Sequence, residues 1–307
     1  MSNRTVLIGF QGARGAYADN AARHLFDNQA SFRGSSFETI PFDKLATMFA
    51  AVQCGDIHQA ILPVENSLSG TMHANFDKLL QLKPRLHVVG EYVFHEPYCL
   101  VALPGTSLED ITEVMSHVHV LEQCKDYLYS LPNGPSIVLA QGLSTADCAS
   151  MVAEKGERTL AAIASQQAAR LYDLEVLATG IEANPNTFTR YFLISKDPIR
   201  PERHMMPKTS FAVIMPNKPG ALFKTLGSFA MRDINVLKIE SRPSTRTISY
   251  SAPWEYIIYI DIDGAAETDP LVERAVDNLK EFASEVIVLG AYPRYVQEIR
   301  NTTIISN

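Results

Sequence analysis

The feature that most constrains the fold is a regular alternation of strand-like and helix-like runs. Short apolar runs typical of buried strands lie at residues 5–10, 60–64, 98–103, 136–140, 159–163 and 190–195. Helical periodicity follows most of them, at residues 17–26, 72–80, 118–129, 144–155 and 166–171. This alternation predicts an α/β architecture with a largely parallel sheet, and sites in such sheets lie at the carboxyl ends of strands.

The alternation stops between Asp197 and Lys208, where Pro198, Pro201 and Pro207 exclude regular helix and central strand. The pattern beyond it is strand 210–215, helix 220–231, strands 235–242 and 254–261, helix 271–282 and strand 286–291. That order is βαββαβ, the ferredoxin-like arrangement. A chain of 307 residues is too long for one typical core. We therefore predict one domain over residues 1–200 and a second over residues 201–307, with a tail after residue 294 that frays.

Composition excludes several classes of partner. The formal charge of −7 and the lack of a basic run argue against nucleic acid. No apolar stretch is long enough to cross a membrane, so no membrane partner is expected. The strand-like run at residues 6–10 leaves no room for a leader, which predicts a cytoplasmic protein unless a leader was removed. Free thiols and no zinc site are expected, because no Cys-x-x-Cys spacing joins the dispersed cysteines Cys54, Cys99, Cys124 and Cys148.

The first candidate site follows the apolar run at residues 60–64. A cluster of small polar residues, 65–71, separates this strand from a helix that has Met72, Phe76, Leu79 and Leu80 on one face. The start of a helix aims free N–H groups at one point, and Ser67, Ser69 and Thr71 can add hydroxyl donors. The pattern indicates the floor of a carboxylate site. Ordinary helix capping is the alternative.

Three other clusters could contribute to the same site. Residues 184–192 deliver Thr189 and Arg190 to the mouth of a strand, and a guanidinium suits a carboxylate, although a surface ion pair is the alternative. Ser116 could cap a helix that contains Gln123, with neighbouring histidines in a structural role rather than as metal ligands. The glycine turn at residues 9–17 has neither the Gly-x-Gly-x-x-Gly spacing nor a Walker lysine, so it favours a small anion over a nucleotide.

The order of these motifs along the chain resembles that of the prephenate dehydratase family, with the regulatory ACT domain behind the catalytic one. The resemblance covers residues 5 to about 294. The specific motifs are Glu65-Asn66-Ser67, Thr189-Arg190-Tyr191, Gly220-Ala221-Leu222-Phe223 and Glu240-Ser241-Arg242-Pro243. The fold that the resemblance implies is a two-lobed, periplasmic-binding-protein-like α/β catalytic domain followed by a ferredoxin-like ACT domain.

The resemblance implies the decarboxylating dehydration of prephenate to phenylpyruvate, without a cofactor or metal. A threonine hydroxyl is a poor acid, so the family's threonine is expected to act within a network or to orient the leaving hydroxyl. Glu65 would donate a proton if burial raised its pKa, and a structural hydrogen bond is equally open. The catalytic candidates are Thr189, Glu65, Asn66, Ser67, Ser116 and Gln123. The substrate-binding candidates are Arg190, Tyr191, Ser69, Gly70, Gly15 and Ala16.

The ACT resemblance implies feedback inhibition by phenylalanine, bound between the ACT domains of paired chains. A homodimer or homotetramer is therefore expected, and Asn217, Leu222 and Ser241 are expected to contact the effector. The full set of candidates is Asn217, Gly220, Ala221, Leu222, Phe223, Glu240, Ser241, Arg242 and Pro243. The alternative is that these residues only begin a helix and end a strand.

The chain departs from the common family pattern in ways that leave the substrate open. Gly15-Ala16-Tyr17-Ala18 replaces Gly-Thr-Phe-Ser, Ser116-His117-Val118 replaces Ser-His-Pro, and Tyr191 replaces Phe. Ala16-Tyr17 resembles the arogenate dehydratases of plants, whose substrate carries an amino group where prephenate has a keto oxygen. Arogenate is therefore the alternative substrate. The alternative class of protein is a non-enzymatic protein that binds and senses an amino acid.

Overall fold

The structure is a computed structural model that describes residues 5–28, 36–82, 85–243 and 256–295. The predicted tail beyond residue 295 and the start of the predicted strand at Trp254 lie outside these residues. Contacts group the chain into two compact units, one of Met1–Leu86 with Phe94–Lys196 and one of His87–Val93 with Asp197–Asn307. Across the described residues, no helix is both long and apolar enough to span a membrane.

The described strands and helices follow the order that the sequence predicts, with additional short strands between them. The strands are β1 (Val6–Gln11), β2 (Phe37–Phe42), β3 (Gln59–Asn66), β4 (Gly70–Thr71), β5 (His87–Phe94), β6 (Cys99–Ala102), β7 (Glu113–Ser116), β8 (Val138–Gln141), β9 (Leu160–Ala164), β10 (Glu175–Thr179), β11 (Thr189–Ser195), β12 (Pro207–Met215), β13 (Val236–Pro243), β14 (Tyr256–Asp263) and β15 (Glu285–Pro293). The helices are α1 (Tyr17–Asn28), α2 (Leu45–Cys54), α3 (His73–Gln81), α4 (Val118–Gln123), α5 (Lys125–Ser130), α6 (Thr145–Lys155), α7 (Gln166–Leu171), α8 (Ala221–Ala230) and α9 (Pro270–Lys280).

The first unit contains two lobes, each built on its own sheet. In the first lobe β2, β1, β3 and β11 lie side by side in that order, with β1 parallel to both neighbours and β11 antiparallel to β3. In the second lobe the order is β10-β6-β9-β7-β8. The two-lobed α/β prediction is confirmed. The prediction of a largely parallel sheet is wrong, because both sheets are mixed.

The chain's path explains the mixed sheets. After β3, α3 and β5 the chain builds the second lobe, and it then returns as β11. A returning strand enters the first sheet from the opposite end, so it pairs antiparallel with β3. In the second lobe, β6 pairs antiparallel with both β9 and β10. Local periodicity identifies each strand, but it carries no information about the direction of a distant neighbour.

Helix ends in the second lobe follow ordinary capping chemistry. Ser144 Oγ accepts a hydrogen bond from the Asp147 N–H at the start of α6, at 3.1 Å. Ser165 Oγ does the same for Ala168 at the start of α7, at 2.9 Å.

The single helix predicted over residues 118–129 is instead two helices, α4 and α5, which meet at Cys124. This residue is fully buried in the core of the second lobe and has non-helical backbone angles.

The second unit contains the predicted βαββαβ order as β12-α8-β13-β14-α9-β15. Its antiparallel sheet has the order β13-β14-β12-β15, and α8 and α9 pack through apolar side chains onto a core that includes Phe211, Phe229 and Ile260. The ferredoxin-like prediction is confirmed. The proline-rich break precedes β12, and Pro207 occupies the first position of that strand, where proline is tolerated. The exact division at residue 200 stays a prediction.

Candidate active site

A cavity of about 260 Å³ lies between the two lobes of the first unit. The first lobe contributes the start of α1, the end of β3 and the start of β11. The second lobe contributes the segment before β6, the helix α4 and the loop before α6. Of the predicted site residues, the structure places Asn66, Thr189, Tyr191, Ser69, Ala16 and Gln123 in its lining. Their roles there stay predictions.

The Asn66 side chain has its orientation fixed by its neighbours. Its Oδ1 accepts hydrogen bonds from the backbone N–H groups of Leu68 and Ser69, both at 3.0 Å, and from Ser69 Oγ at 3.2 Å. Backbone N–H groups can only donate, so the atom that faces them must be the oxygen. The amide nitrogen Nδ2 then donates to Thr189 Oγ1, at 3.1 Å. Because this bond occupies a lone pair of the Thr189 hydroxyl, its proton is left to donate into the cavity.

The polar cluster at residues 65–71 is a hairpin rather than the start of a helix. Glu65 pairs with Thr71, and Asn66 with Gly70, across β3 and β4. The helix α3 begins only at His73 and has no side-chain cap. The prediction that these hydroxyls surround the start of a helix is therefore wrong, because a two-residue strand separates the turn from α3.

Two members of that cluster lie away from the cavity lining. Ser67 Oγ accepts from the Phe188 N–H at 2.9 Å, and the Ser67 N–H donates to the Phe188 carbonyl, also at 2.9 Å. Gly70 has a φ of +79° and open space around it. Ser67 thus ties the hairpin to the segment before β11, and Gly70 serves the turn.

Arg190 and Glu65 also lie outside the cavity lining. They occupy opposite positions on β11 and β3, and Arg190 Nη1 donates to Glu65 Oε2 at 3.1 Å. The guanidinium also lies 5.0 Å from the ring centre of Phe192. Strand periodicity explains why Arg190 lies outside the lining. Thr189 and Tyr191 share the cavity face of β11, and the residue between them points to the other face. Arg190 thus forms an ion pair, as the alternative had it, but with a side chain that is 12% exposed this pair is not at the surface. The geometry matches the structural alternative for Glu65.

Ser116 and Gly15 support the site from outside its lining. Ser116 is fully buried, and its hydroxyl donates to the Ile163 carbonyl at 2.8 Å, so it does not cap α4. Gly15 has a φ of +82°, and a Cβ there would lie 2.9 Å from Ala168 Cα at the start of α7. The Ser165 hydroxyl donates to the Gly15 carbonyl at 2.6 Å. Gly15 therefore allows the close approach of the two lobes beside the cavity.

Two longer helices begin at the cavity and supply its anion-binding potential. Ala16, Tyr17 and Ala18 at the start of α1 line it from the first lobe. Ser144 and Thr145 at the start of α6 line it from the second. The first N–H groups of a helix lack intrahelical partners, and the helix dipole favours negative charge at that end. Each lobe therefore presents backbone donors suited to a carboxylate.

Sequence reasoning missed two acidic residues of the lining, Glu96 and Glu182. Glu182 is 8% exposed and its Oε2 accepts from the Tyr98 N–H at 3.0 Å. Glu96 accepts from Asn20 Nδ2 through both carboxylate oxygens, at 3.2 and 2.9 Å. Burial raises the pKa of the Glu96 carboxyl, and the Asn20 hydrogen bond opposes that rise. Their position beside proline-containing turns was a weak signal, because nothing local indicates which way such a side chain points.

The aromatic part of the lining is uncharged. Tyr17 and Tyr98 pack edge to face with ring centres 5.3 Å apart. Burial raises the pKa of Tyr17, Tyr98 and Tyr191 above the ordinary value, so these phenols stay protonated. Burial and then the neighbouring His119 lower the pKa of His117, which favours a neutral imidazole at neutral pH. Two buried atoms of the lining, the Tyr17 hydroxyl and Gln123 Oε1, lack a hydrogen-bond partner among the described residues.

The second unit has a separate cavity of about 340 Å³ at the start of α8. The structure places Asn217, Gly220, Ala221, Leu222, Phe223 and Ser241 in its lining. Gly220 has a φ of +80°, which lets the backbone turn sharply into the helix. Glu240 and Arg242 are not part of the lining, because they are adjacent to Ser241 on β13 and adjacent residues of a strand point to opposite faces. Pro243, the last residue of β13, is not part of the lining either.

The fold and the two cavities define a class of protein: a two-lobed α/β domain with a cavity between its lobes, followed by a small βαββαβ domain with a ligand-sized cavity of its own. A family model for prephenate dehydratase matches residues 8–199, and one for the ACT domain matches residues 209–279. The chain belongs to the prephenate dehydratase family.

Two similar proteins carry dehydratase names, and a third, similar in sequence and structure, carries a different description. Arogenate dehydratase/prephenate dehydratase 1, chloroplastic, of Arabidopsis thaliana is 37% identical over 297 residues, covering 94% of this chain and 72% of that protein. A structure of prephenate dehydratase from Arthrobacter aurescens in complex with L-Phe is 31% identical, with a TM-score of 0.81 and coverage of 94% and 90%. GqqA, described as a novel type of quorum quenching acylase, is 31% identical, with a TM-score of 0.76 and coverage of 94% and 98%.

Proposed function

We propose that the chain catalyses the decarboxylating dehydration of prephenate to phenylpyruvate, a step of phenylalanine biosynthesis. The observation that carries the proposal is the Thr189 hydroxyl, which the Asn66 amide holds in the cavity between the lobes. Family membership supports the reaction type. The catalytic domain is residues 1–200 and the regulatory domain residues 201–307.

The reaction breaks two bonds of the substrate ring. The carbon–carbon bond to the ring carboxylate breaks and releases carbon dioxide, and its electron pair enters the ring. The ring expels the hydroxyl, which takes up a proton and leaves as water, and the ring becomes aromatic. Aromatisation supplies the driving force, so the protein mainly has to hold the ring and place a donor at the leaving oxygen.

Thr189 is the donor in this proposal. Because Asn66 Nδ2 already donates to Thr189 Oγ1, the threonine proton is free to bond the leaving hydroxyl. A threonine does not ionise at neutral pH, so it orients the leaving group and stabilises its developing charge. The neutral Tyr17 hydroxyl, buried and unpartnered among the described residues, can contribute a second donor in the same cavity.

The carboxylates of the substrate are held by the starts of α1 and α6. These helices begin on opposite lobes, and residues at both starts line the cavity. Arg190 is not assigned this task, because its guanidinium pairs with Glu65 outside the lining. A dicarboxylate that bridges two helix starts would draw the lobes together, which excludes water from the reacting ring.

Arogenate is the second candidate substrate, with phenylalanine as the direct product. The observation that favours it is the pair of carboxyl groups in the cavity lining, Glu96 and Glu182. A carboxylate suits the amino group of arogenate better than the keto oxygen of prephenate. The reaction at the ring is the same for both substrates.

Phenylalanine is the proposed effector, bound in the second cavity beside Asn217, Leu222 and Ser241. Leu222 is 46% and Phe223 is 74% exposed at this cavity, which supports coverage by a second copy of the chain. The relative from Arthrobacter aurescens was solved with L-Phe, which is consistent with the proposal. The proposal also includes assembly as a homodimer or homotetramer and a cytoplasmic location.

The test is turnover of the purified chain with prephenate and arogenate in parallel, each with and without phenylalanine. Phenylpyruvate formed from prephenate and suppressed by phenylalanine is the expected result. Phenylalanine formed preferentially from arogenate keeps the reaction type and changes the substrate. No turnover of either substrate by folded protein that binds phenylalanine would overturn the enzyme assignment in favour of a sensor.

A further inference from the structure

The charge of the active-site cavity is unusual for an enzyme that takes a dicarboxylate. Its lining contains the carboxyl groups of Glu96 and Glu182, and among the described residues no lysine or arginine lines it. The one ionisable base there with a shifted pKa, His117, is shifted towards its neutral form by burial and by His119. Anion binding is therefore left to backbone donors, and the side chains add negative charge.

The two carboxyl groups differ in the hydrogen-bond donor that each already accepts from. Glu182 accepts from the Tyr98 N–H, which fixes it to the backbone before β6. Glu96 accepts from the side-chain amide of Asn20, a neutral group that orients the carboxylate without cancelling its charge. Burial, and after it the charge of Glu96, raises the pKa of Tyr17, so Glu96 acts directly on the ring that lines the cavity beside it.

The cavity that Glu96 lines contains polar groups that are incomplete without a ligand. The Tyr17 hydroxyl and Gln123 Oε1 are buried in the lining and lack partners among the described residues. A buried polar atom without a partner costs free energy, so a bound molecule that completes these bonds is favoured. Gln123 Oε1 needs a donor, which an ammonium group supplies and a keto oxygen does not.

We propose that Glu96 is the specificity-determining residue of this cavity: its carboxylate binds the amino group that arogenate carries where prephenate carries a keto oxygen. The inference rests on the proposed function and decides between its two substrates. Arogenate's ammonium group forms a charge-assisted bond with Glu96 and can also donate to Gln123 Oε1. Prephenate is still accepted, but it places a keto oxygen, which is an acceptor, beside the Glu96 carboxylate and carries no positive charge to offset its two carboxylates. Glu96 therefore lowers kcat/KM for prephenate relative to that for arogenate.

The test compares Glu96→Gln with the unchanged chain on both substrates. Glutamine keeps the size and removes the charge, so kcat/KM for arogenate should fall about tenfold or more, as expected for the loss of a charged hydrogen bond. For prephenate kcat/KM should stay unchanged or rise, because a repulsive charge is removed. Glu122→Gln, which removes an exposed carboxylate outside the lining, is the matched control and should leave the ratio between substrates unchanged.

Three outcomes would be distinguishable. A change in the ratio of the two kcat/KM values towards prephenate supports the inference. Equal losses on both substrates would show a purely structural role for Glu96, and an unchanged ratio would show no role in selection; either result overturns the inference while the dehydratase remains. If the unchanged chain turns over neither substrate, the proposed function itself has failed.

Discussion

The Thr189 hydroxyl has its direction set by one neighbouring amide. Three donors fix the oxygen end of Asn66, and the nitrogen end is thereby aimed at Thr189. A hydroxyl oxygen anchored in this way has less freedom to lose during the reaction, and its proton remains available as a donor. The pair is formed across β3 and β11, whose residues 66 and 189 are direct neighbours in the register.

Replacing Thr189 with Ala should lower kcat by about a hundredfold, the scale of a lost positioned donor, with a much smaller change in KM. Thr189→Ser keeps the hydroxyl and is the matched control, from which we expect most of the activity. Steady-state kinetics on the better substrate provides the measurement. Comparable losses in kcat and in affinity would remove Thr189 from its assigned role.

Arg190 and Glu65 should matter for stability rather than for substrate affinity. Their side chains are 12% and 31% exposed and pair on the face of the sheet away from the cavity lining. Arg190→Gln should lower the free energy of unfolding by about 1–2 kcal/mol, and a double-mutant cycle with Glu65→Gln should show coupling. KM should change by less than about threefold, since a loss of about 0.6 kcal/mol in binding is the most expected from an indirect effect.

Denaturant unfolding and steady-state kinetics on the same variants separate an effect on stability from an effect on substrate affinity. A large increase in KM for Arg190→Gln at unchanged stability would restore the guanidinium as a substrate anchor.

At the scale of elements, the alternation of β13 decides which motif residues can reach the second cavity. Ser241 lines that cavity, and Glu240 and Arg242 on either side of it do not. The matching residues of α8 are at its first turn, where Gly220, with a φ of +80°, lets the chain turn into the helix. A four-residue motif on a strand therefore offers every second side chain to one ligand.

Filling the cavity with Ser241→Leu should abolish inhibition by phenylalanine and leave uninhibited turnover within about twofold, because Ser241 is exposed and belongs to a different unit from the active-site residues. Glu240→Gln, on the other face of the same strand, is the matched control and should keep inhibition. The measurement is the phenylalanine dose response of the initial rate. Unchanged inhibition in Ser241→Leu would locate the effector elsewhere.

At the scale of the whole molecule, a buried ionic cluster holds β5 in the second unit. Lys208 Nζ lies 2.9 Å from Glu91 Oε2 and 3.4 Å from Asp261 Oδ2, and all three side chains are less than a tenth exposed. Ser210 Oγ donates to Asp261 Oδ1 at 2.5 Å, and the Tyr295 N–H donates to Glu91 Oε1 at 3.2 Å. This cluster gives a physical reason why residues 87–93 group with the C-terminal part of the chain.

Lys208→Ala should lower the free energy of unfolding by about 3–5 kcal/mol, because it removes a buried cation that pairs with two buried carboxylates. Lys280→Ala removes an exposed partner of Asp277, whose side chain is 65% exposed, and should cost less than about 1 kcal/mol. Thermal or denaturant unfolding of the two variants gives the comparison. Equal costs would mean that the cluster contributes no more than a surface pair.

The sequence by itself determined the order of elements, the break before the second domain, the βαββαβ pattern and the family motifs. These features depend on local periodicity, on proline chemistry and on short runs of residues that are adjacent in the chain. The family motifs predicted Asn66, Thr189 and Ser241 as site residues, and all three line one of the two cavities.

Only the tertiary structure decided which side chains of those motifs meet. The direction of β11 beside β3 comes from a chain that crosses to the second lobe and returns. That register places Thr189 on the cavity face and Arg190 on the other. The segment before β6 brings Glu96 into the same lining, although Glu96 belongs to no motif. The physical reason is that a strand's residues alternate between two faces, and which face becomes a site depends on what packs against it.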